Sequence, residues 1–201
     1  MKSKWLLLLL SAVALASPCP GHATWLLEGN VGVGMPQGDF GDYWDSGLLV
    51  GASVGYLSAP FEIGADLNFL SNDPSDSYSE EDLEPFDATA EFSFVQYGVH
   101  ARWMPATQGS LGPYLGVGLA AYDLKEEVES PLFGSQEFSN TSLGVNFKGG
   151  ANFWLGPAFG LGADVTYHLV WPDEEEIGHD NASFLGLQAG LRYKLGAPSA
   201  P

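Results

Sequence analysis

The sequence is poor in three things: cysteine, positive charge and long apolar runs. It has one cysteine, Cys19, and only 7 Lys and Arg against 25 Asp and Glu in 201 residues, a formal net charge of -18. Nucleic-acid binding depends on Lys and Arg that neutralise phosphates, so this balance excludes it as a main function. Apolar residues make up 45% of the chain and aromatic residues 13%, which excludes an acidic, disordered chain.

The one long apolar run lies at the N-terminus, where two lysines flank the start of a twelve-residue segment at 5–16. Gly21-His22-Ala23 then offers small residues at the −3 and −1 positions of a cleavage site. We predict a secretory signal peptide over residues 1–23 and one domain over residues 24–201, without cysteine and therefore without disulfides. Ala14-Leu15-Ala16 is a second candidate cleavage site. A membrane anchor is not favoured, because a spanning helix needs about 20 apolar residues.

After residue 24, eight segments alternate between apolar residues and small or polar ones. In the last, Leu185, Leu187, Leu191 and Tyr193 share one parity, and glycines, Gln188 and two cations share the other. This period of two is typical of strands with one apolar face. Most segments run to about ten residues, which suits a tilted membrane-crossing strand. The connections alternate between short ones (57–60, 105–113, 155–158) and long ones (34–47, 70–90, 123–140, 172–182).

This layout predicts an all-β fold: an eight-stranded, antiparallel, up-and-down transmembrane β-barrel of one domain. Short turns lie at one end of such a barrel, on the periplasmic side, and long loops lie at the other. A soluble barrel or sandwich is the alternative. The distribution of acids and aromatic residues argues against that alternative, because each group is confined to one end of the strands.

The acidic residues collect in the long connections, which hold 20 of the 25 Asp and Glu. The plain interpretation is a solvated, self-repelling rim. The alternative is divalent-cation binding, because carboxylate oxygens suit Ca²⁺ or Mg²⁺. The candidate segment lacks the spacing of an EF-hand loop, so we predict no dedicated metal site and only a weak cation-binding possibility at Asp73, Asp76, Glu80, Glu81 and Asp82.

Aromatic residues of the apolar parity collect at the other end of the strands. Seven of the eight segments carry one beside a short turn or a terminus. Aromatic residues concentrate at membrane–water interfaces, so we predict a periplasmic aromatic girdle of Trp25, Tyr56, Phe61, Trp103, Phe153, Phe159 and Tyr193.

On each strand, the residues that alternate with the apolar ones should face the barrel interior, and we call this set the inward parity. It carries most of the charged side chains that we expect to be buried. Charges in a narrow interior are costly unless they are paired, and an eight-stranded barrel is just wide enough for side chains to fill. We expect the pairs Arg102–Glu62, Lys148–Asp164 and Arg192–Glu28. We predict a polar network of Glu28, Glu62, Asp66, His100, Arg102, Lys148, Asp164, His168, Arg192 and Lys194. A gated small pore is the alternative.

The two inward histidines carry no further prediction. His100 and His168 lie on non-neighbouring strands and have no cysteine beside them, so we predict neither a metal nor another cofactor. No histidine falls on the apolar parity of the strands, where a lipid-modifying barrel enzyme would place one. We therefore predict no catalytic residues.

Two stretches carry a family resemblance. Residues 31–40 run from a strand into Pro36-Gln37-Gly38-Asp39-Phe40, and a glycine-rich strand follows at residues 47–56. The chain resembles the small outer-membrane β-barrel proteins of Gram-negative bacteria, the OmpA-transmembrane-, OmpX- and OmpW-like group. The resemblance implies a location in the bacterial outer membrane, with lipid and the barrel-assembly machinery as partners.

The family resemblance implies location better than activity, because such barrels are variously structural, adhesive or permeable to small solutes. We expect a structural or surface-interaction role, with surface ligands or cations met at the acidic loops. A narrow porin-like barrel for small or apolar solutes and a lipid-modifying enzyme are the alternatives. The chain departs from the family at its C-terminus, because Tyr193 is followed by Lys194, Leu195 and a short tail where such barrels end on an aromatic residue.

Overall fold

A computed structural model of the chain describes residues 24–75, 88–105, 110–131, 134–171 and 182–196. They form eight antiparallel strands that close into one barrel, each strand paired with the next in sequence and the last with the first. This confirms the predicted fold. The strands are β1 (Thr24–Gln37), β2 (Gly47–Ser58), β3 (Phe61–Asn72), β4 (Thr89–Trp103), β5 (Leu111–Ser130), β6 (Gly134–Trp154), β7 (Phe159–Trp171) and β8 (Ala182–Leu195).

The barrel closes between β1 and β8. Their register runs without a break from Trp25 opposite Leu195 to Gln37 opposite Ser183, and places Glu28 opposite Arg192. A closed sheet leaves no unpaired edge in the lipid, which is the condition for a sheet to span a membrane. The predicted signal peptide and the long connection 172–181 lie outside the described residues.

The outer surface of the barrel is a belt of apolar side chains. Val31, Leu67, Leu119 and Leu143 are 54%, 54%, 62% and 71% exposed in the isolated chain. Polar and charged side chains alternate with them and point inward, so each strand has one lipid-compatible face. No helix among the described residues is long and apolar enough to cross a membrane.

Three short connections lie at one end of the barrel, which we call the short-turn end. They join β2 to β3 through residues 59–60, β4 to β5 through residues 104–110, and β6 to β7 through residues 155–158. Both chain ends of the described barrel, Thr24 and Leu195, lie at this end as well. The opposite end is called the long-loop end.

The prediction of a long loop at residues 123–140 is wrong. β5 and β6 continue as strands through this segment and stay paired from Leu111 opposite Phe153 to Ser130 opposite Gly134, and β4 accompanies β5 as far as Thr89 opposite Glu129. We call residues 123–141 the hairpin extension. Polar residues occur on both of its faces, since it lies beyond the lipid belt. Its sequence therefore lacks the alternation of apolar and polar residues that identifies a strand.

The predicted first long connection, residues 34–47, also carries regular structure. β1 continues to Gln37, Gly38 adopts a positive φ of 63°, and a one-turn helix, α1, follows at Phe40–Tyr43. Trp44 then forms an isolated bridge to Pro74, just after β3. We call residues 38–46 the inner loop, because it folds back over the mouth of the barrel.

Candidate functional site

The interior near the short-turn end is organised around Glu28. Its Oε2 accepts a hydrogen bond of 2.7 Å from Arg102 Nη1, and its Oε1 accepts one of 2.9 Å from Arg192 Nη2. Arg102 Nη1 also donates to Glu62 Oε1 at 3.3 Å. Both guanidinium groups are fully enclosed, and Ser53 Oγ adds a hydrogen bond of 3.3 Å to Glu28. One carboxylate thus joins strands on opposite sides of the barrel.

His100 lies between two carboxylates. Its Nδ1 is 2.8 Å from Asp66 Oδ2 and its Nε2 is 3.2 Å from Glu62 Oε1. Ionised carboxylates only accept, so both ring nitrogens donate and the ring is the cationic imidazolium. The buried charges in the described interior then balance: the carboxylates are Glu28, Glu62, Asp66 and Asp164, and the cations are Arg102, Lys148, Arg192 and His100.

The structure corrects one predicted ion pair. Lys148 Nζ lies 3.8 Å from Asp66 Oδ1, across the interior, and not beside Asp164. The β6–β7 register sets Lys148 opposite Thr166, two positions beyond Asp164. Asp164 instead accepts hydrogen bonds from Tyr114 Oη at 3.0 Å and Thr166 Oγ1 at 3.1 Å. The predicted pair was wrong because the alternation of apolar residues shows on which face of a strand a side chain lies. It does not show which residues of neighbouring strands lie opposite each other.

Tyr114 is a buried part of the network that the prediction omits. Its hydroxyl accepts a hydrogen bond of 2.8 Å from Arg192 Nη2 and donates to Asp164. The Cζ atoms of Arg192 and Arg102 lie 4.7 Å and 5.3 Å from the centroid of its ring. The ring thus separates two cations while attracting both. The parity of β5 alone places Tyr114 inward, so the sequence did contain the signal.

Glycines make the room for these large side chains. A Cβ on Gly162 would lie 2.5 Å from Arg192 Nε, and one on Gly150 would lie 2.7 Å from Tyr114 Cζ. On the outward parity, a Cβ on Gly29 would meet no atom within 4 Å. The inward glycines therefore leave the space that the large side chains of the ion network occupy.

The middle of the interior is filled by amides and by His168. Gln188 Nε2 donates to Asn30 Oδ1 at 2.7 Å, and Asn68 Nδ2 donates to Gln96. His168 Nδ1 lies 2.9 Å from the Tyr122 hydroxyl, so this ring is bonded to a neutral group and not to an acid. The gaps that remain between the side chains at this level are too small to hold a water molecule.

The interior near the long-loop end is apolar, which corrects the prediction of a lumen that is polar throughout. The buried side chains there form a core that includes Leu49, Leu70, Phe92, Phe94, Leu124, Val170 and Phe184. Phe94 contacts Phe184 edge to face at 5.1 Å between ring centroids. These residues fall on the inward parity, where the prediction considered only polar residues.

The inner loop closes this apolar layer from above. Phe40 and Trp44 are buried, and Phe40 packs at 4.9 Å from Phe92 and 5.1 Å from Phe184 between ring centroids. Phe40 belongs to the motif that carries the family resemblance, but the sequence does not predict that this side chain enters the barrel.

Backbone hydrogen bonds hold the inner loop to the segment after β3. Asp45 N donates to Asp73 O at 2.9 Å, and Ser75 N donates to Tyr43 O at 2.8 Å. The Ser75 hydroxyl donates to Asp42 O at 2.6 Å. These bonds hold the inner loop, and with it the aromatic cap of Phe40 and Trp44, in place over the mouth of the barrel.

The seven predicted girdle residues all lie at the short-turn end on the outward face. Trp25, Phe61, Trp103, Phe153, Phe159 and Tyr193 are 41–56% exposed, and Tyr56 is partly covered by Trp25, with ring centroids 5.4 Å apart. Lys194 also lies at this end. It is half-buried, and its Nζ is 3.5 Å from the centroid of the Trp154 ring, away from the ion network.

The candidate cation-binding loop lies largely outside the described residues. Asp73 is placed, with its carbonyl oxygen bonded to Asp45, whereas Asp76, Glu80, Glu81 and Asp82 lie outside the described ranges. Within the described part of the chain, no group of three or more His, Cys, Asp or Glu could hold a metal ion.

Comparison with known proteins points to one family. A family model described as an outer membrane protein beta-barrel domain matches residues 5–195. No curated protein matches the chain in sequence.

Solved structures share the fold at low sequence identity. Neisserial surface protein A superposes with a TM-score of 0.66 at 20% identity, over 87% of this chain and 100% of the other. A major outer membrane protein from Thermus thermophilus gives a TM-score of 0.63 at 14% identity over 87% and 100%, and OprG from Pseudomonas aeruginosa gives 0.53 at 13% over 89% and 99%.

Proposed function

This chain belongs to the outer membrane protein β-barrel family, and from that premise we propose that it is a non-conducting barrel with a structural or surface-interaction role. The protein lies in the bacterial outer membrane, where its apolar belt meets lipid. We propose further that residues 1–23 are its signal peptide, that residues 24–201 are the mature barrel, and that the girdle marks the periplasmic interface. The long-loop end then faces the outside.

The continuous filling of the interior carries this proposal. Three layers follow one another along the barrel: the ion network around Glu28, the amides with no gap large enough for a water molecule, and the aromatic core capped by Phe40 and Trp44. A permeating solute would have to break buried ion pairs and displace the cap. Removing one partner of a buried ion pair costs about 3–5 kcal/mol, so such breaks are rare. This favours a solid barrel over the porin-like alternative.

The enzyme alternative finds no support among the described histidines. His100 is held between Asp66 and Glu62, and His168 is enclosed by Tyr122 and Phe94. Both are nearly inaccessible from lipid and from water. A general base must lie within hydrogen-bond reach of the group it acts on, so neither buried ring can act on a lipid outside the barrel.

Current recording in planar lipid bilayers tests the proposal. We expect the purified, folded protein to give no steady, reproducible current steps. The comparison variant is Phe40→Ala, which removes one ring of the aromatic cap and leaves the two layers below it in place, so it should give no steady steps either. Steady steps in the unmodified protein would overturn the proposal in favour of the narrow pore.

A further inference from the structure

The outward faces of β3, β4, β5 and β6 change in character near the long-loop end. The strand registers align their outward side chains in rows that run across these strands. The last mainly apolar row consists of Leu67, Tyr97, Ala121 and Leu143. The next two rows consist of Phe69, Val95, Asp123 and Thr141, and then of Ser71, Ser93, Lys125 and Ser139. A further row on β4, β5 and β6 consists of Glu91, Glu127 and Glu137. The wall thus passes from apolar groups through hydroxyls to carboxylates.

Small side chains in the two middle rows leave a depression in this wall. It measures about 370 Å³, and its lining includes Phe69, Ser93, Asp123, Lys125, Ser139 and Thr141. Small-molecule sites in proteins commonly measure about 300–1,000 Å³. The depression is therefore large enough to receive a chemical group of a small ligand. It opens on the outside of the barrel, because these residues belong to the outward parity.

The polar groups of the depression can both donate and accept hydrogen bonds. Within the described part of the chain, the hydroxyls of Ser93 and Ser139 make no hydrogen bond. The Asp123 carboxylate accepts one from Thr141 Oγ1 at 2.5 Å. A hydroxyl is both a donor and an acceptor, whereas an ionised carboxylate only accepts. The hydroxyls of a sugar have the same double character, so this set of groups suits a saccharide.

The charge around the depression disfavours an anionic ligand. The four rows hold one cation, Lys125, whose Nζ lies 3.1 Å from Glu127 and 3.3 Å from Glu137. Together with Asp123 and Glu91 these rows carry four carboxylates and one lysine, a net charge of −3. A phosphate in the depression would meet charge of its own sign, which raises its energy. The ligand that fits is therefore uncharged.

The position of the depression identifies its ligand as part of a lipid. Leu67 and Leu143 lie in the row directly below it and are 54% and 71% exposed in the isolated chain. Both belong to the apolar belt, and the headgroups of a bilayer lie just beyond its hydrocarbon core. A headgroup in the depression would continue into acyl chains that cover these leucines. A soluble sugar would leave this apolar surface uncovered.

We propose that the depression binds the uncharged sugar headgroup of a membrane lipid, whose acyl chains lie along the apolar belt. Ser93, Ser139 and Asp123 form hydrogen bonds with the sugar hydroxyls. Phe69, which is 44% exposed, adds apolar contact area at the boundary between headgroup and chains. The inference concerns the outer wall alone, so it does not depend on whether the interior conducts.

Native mass spectrometry of the full-length protein in lauryldimethylamine oxide, a detergent without sugar, tests the inference. The probe is a monoglucosyl diacylglycerol. Two lipids with the same acyl chains serve as comparisons: phosphatidylglycerol, which is anionic, and phosphatidylcholine, which has neither net charge nor sugar. We expect the glucolipid to bind at least about tenfold more tightly than either. Methyl glucoside, the headgroup without chains, should not displace the glucolipid at the same concentration.

Substitutions on the outer wall locate the site. Ser93→Leu with Ser139→Leu fills the depression with side chains that suit a lipid-facing surface, so the protein should fold and lose its preference for the glucolipid. Ser93→Ala with Ser139→Ala keeps the space and removes the hydroxyls, which should weaken glucolipid binding about tenfold. Ser183→Leu is the matched control, because Ser183 is an outward serine of β8, on the opposite side of the barrel. Its preference for the glucolipid should be unchanged.

The inference fails if either comparison lipid binds as tightly as the glucolipid, or if methyl glucoside displaces it. It also fails if the alanine pair keeps full binding, because the hydroxyls would then have no part in recognition. An equal loss of binding in Ser183→Leu would show that the site lies elsewhere. Steady channels in planar bilayers would remove the non-conducting barrel and leave a measured lipid site in place.

Discussion

At the scale of single residues, Glu28 has the largest role in holding the barrel interior together. It accepts from Arg102 on β4 and Arg192 on β8, and each arginine is about 1% exposed. Burying a guanidinium without a partner is far more costly than burying it paired, because protein cannot replace the lost hydration. Two further nitrogens of each arginine have no hydrogen-bond partner among the described residues, so loss of Glu28 would add to the unpaired donors already buried there.

Glu28→Ala should therefore lower the free energy of unfolding by about 3–5 kcal/mol, since it removes the carboxylate that two buried guanidinium groups share. Urea unfolding of the protein in detergent micelles or lipid vesicles measures this change. Glu91→Ala is the matched control, because Glu91 is exposed and accepts only a hydrogen bond from Ser71 Oγ. Equal effects of the two variants would contradict the assignment of Glu28 to the interior network.

At the scale of elements, the inner loop and the hairpin extension give the long-loop end its structure. The inner loop turns back at Gly38 and inserts Phe40 and Trp44 into the barrel mouth. The hairpin extension lies at the same end, where β5 pairs with β6 on one side and with β4 on the other. One element closes the interior, and the other lengthens the wall of the barrel.

Phe40→Ala should unfasten the inner loop without unfolding the barrel. Removing a buried phenyl ring costs about 3 kcal/mol at the lower end of the observed range, which makes opening of the loop roughly a hundredfold more frequent. Limited proteolysis at residues 38–46 reports this opening as a faster cleavage rate. Asp39→Ala is the control in the same loop, since the Asp39 side chain is exposed and makes no capping hydrogen bond, and its rate should stay near that of the unmodified protein. Faster cleavage in both variants would contradict the capping role of Phe40.

At the scale of the whole molecule, the barrel is organised by depth. The apolar belt faces lipid, and the girdle residues lie at the short-turn end. The interior follows the same axis, from ions near the short-turn end to aromatic side chains near the long-loop end. The loss in free energy of unfolding that a substitution causes should therefore depend on its position along the barrel axis.

Arginine substitutions at two depths test this organisation. Leu119 and Leu111 lie on β5, point outward and are 62% and 58% exposed in the isolated chain. Leu119 pairs with Val99 in the middle of the belt, whereas Leu111 pairs with Phe153 of the girdle. Leu119→Arg should cost about 2–4 kcal/mol in lipid vesicles and Leu111→Arg about 0–1 kcal/mol, because the cost of a lipid-facing arginine falls towards the interface. Equal costs measured by urea unfolding in vesicles would place the belt elsewhere.

Alternation in the sequence was enough to identify the fold, because a barrel strand with one lipid face and one interior face repeats with a period of two. The sequence alone thus assigns Val31, Leu67 and Leu119 to the outer face of the barrel. The hairpin extension escaped this reasoning, because neither of its faces is apolar throughout. The inner loop escaped it too, because a single helical turn has no period to detect.

The sequence by itself determined which residues face lipid and which face inward, since that depends only on parity along each strand. The sequence also predicted two of the inward ion pairs, Arg102–Glu62 and Arg192–Glu28, but only the tertiary structure decided the other contacts between inward residues. The bond from Arg102 to Glu28, the contact of Lys148 with Asp66 and the insertion of Phe40 join residues that are far apart in the chain. Such contacts depend on strand register, barrel closure and the path of a loop, and these are set by the fit of all eight strands together.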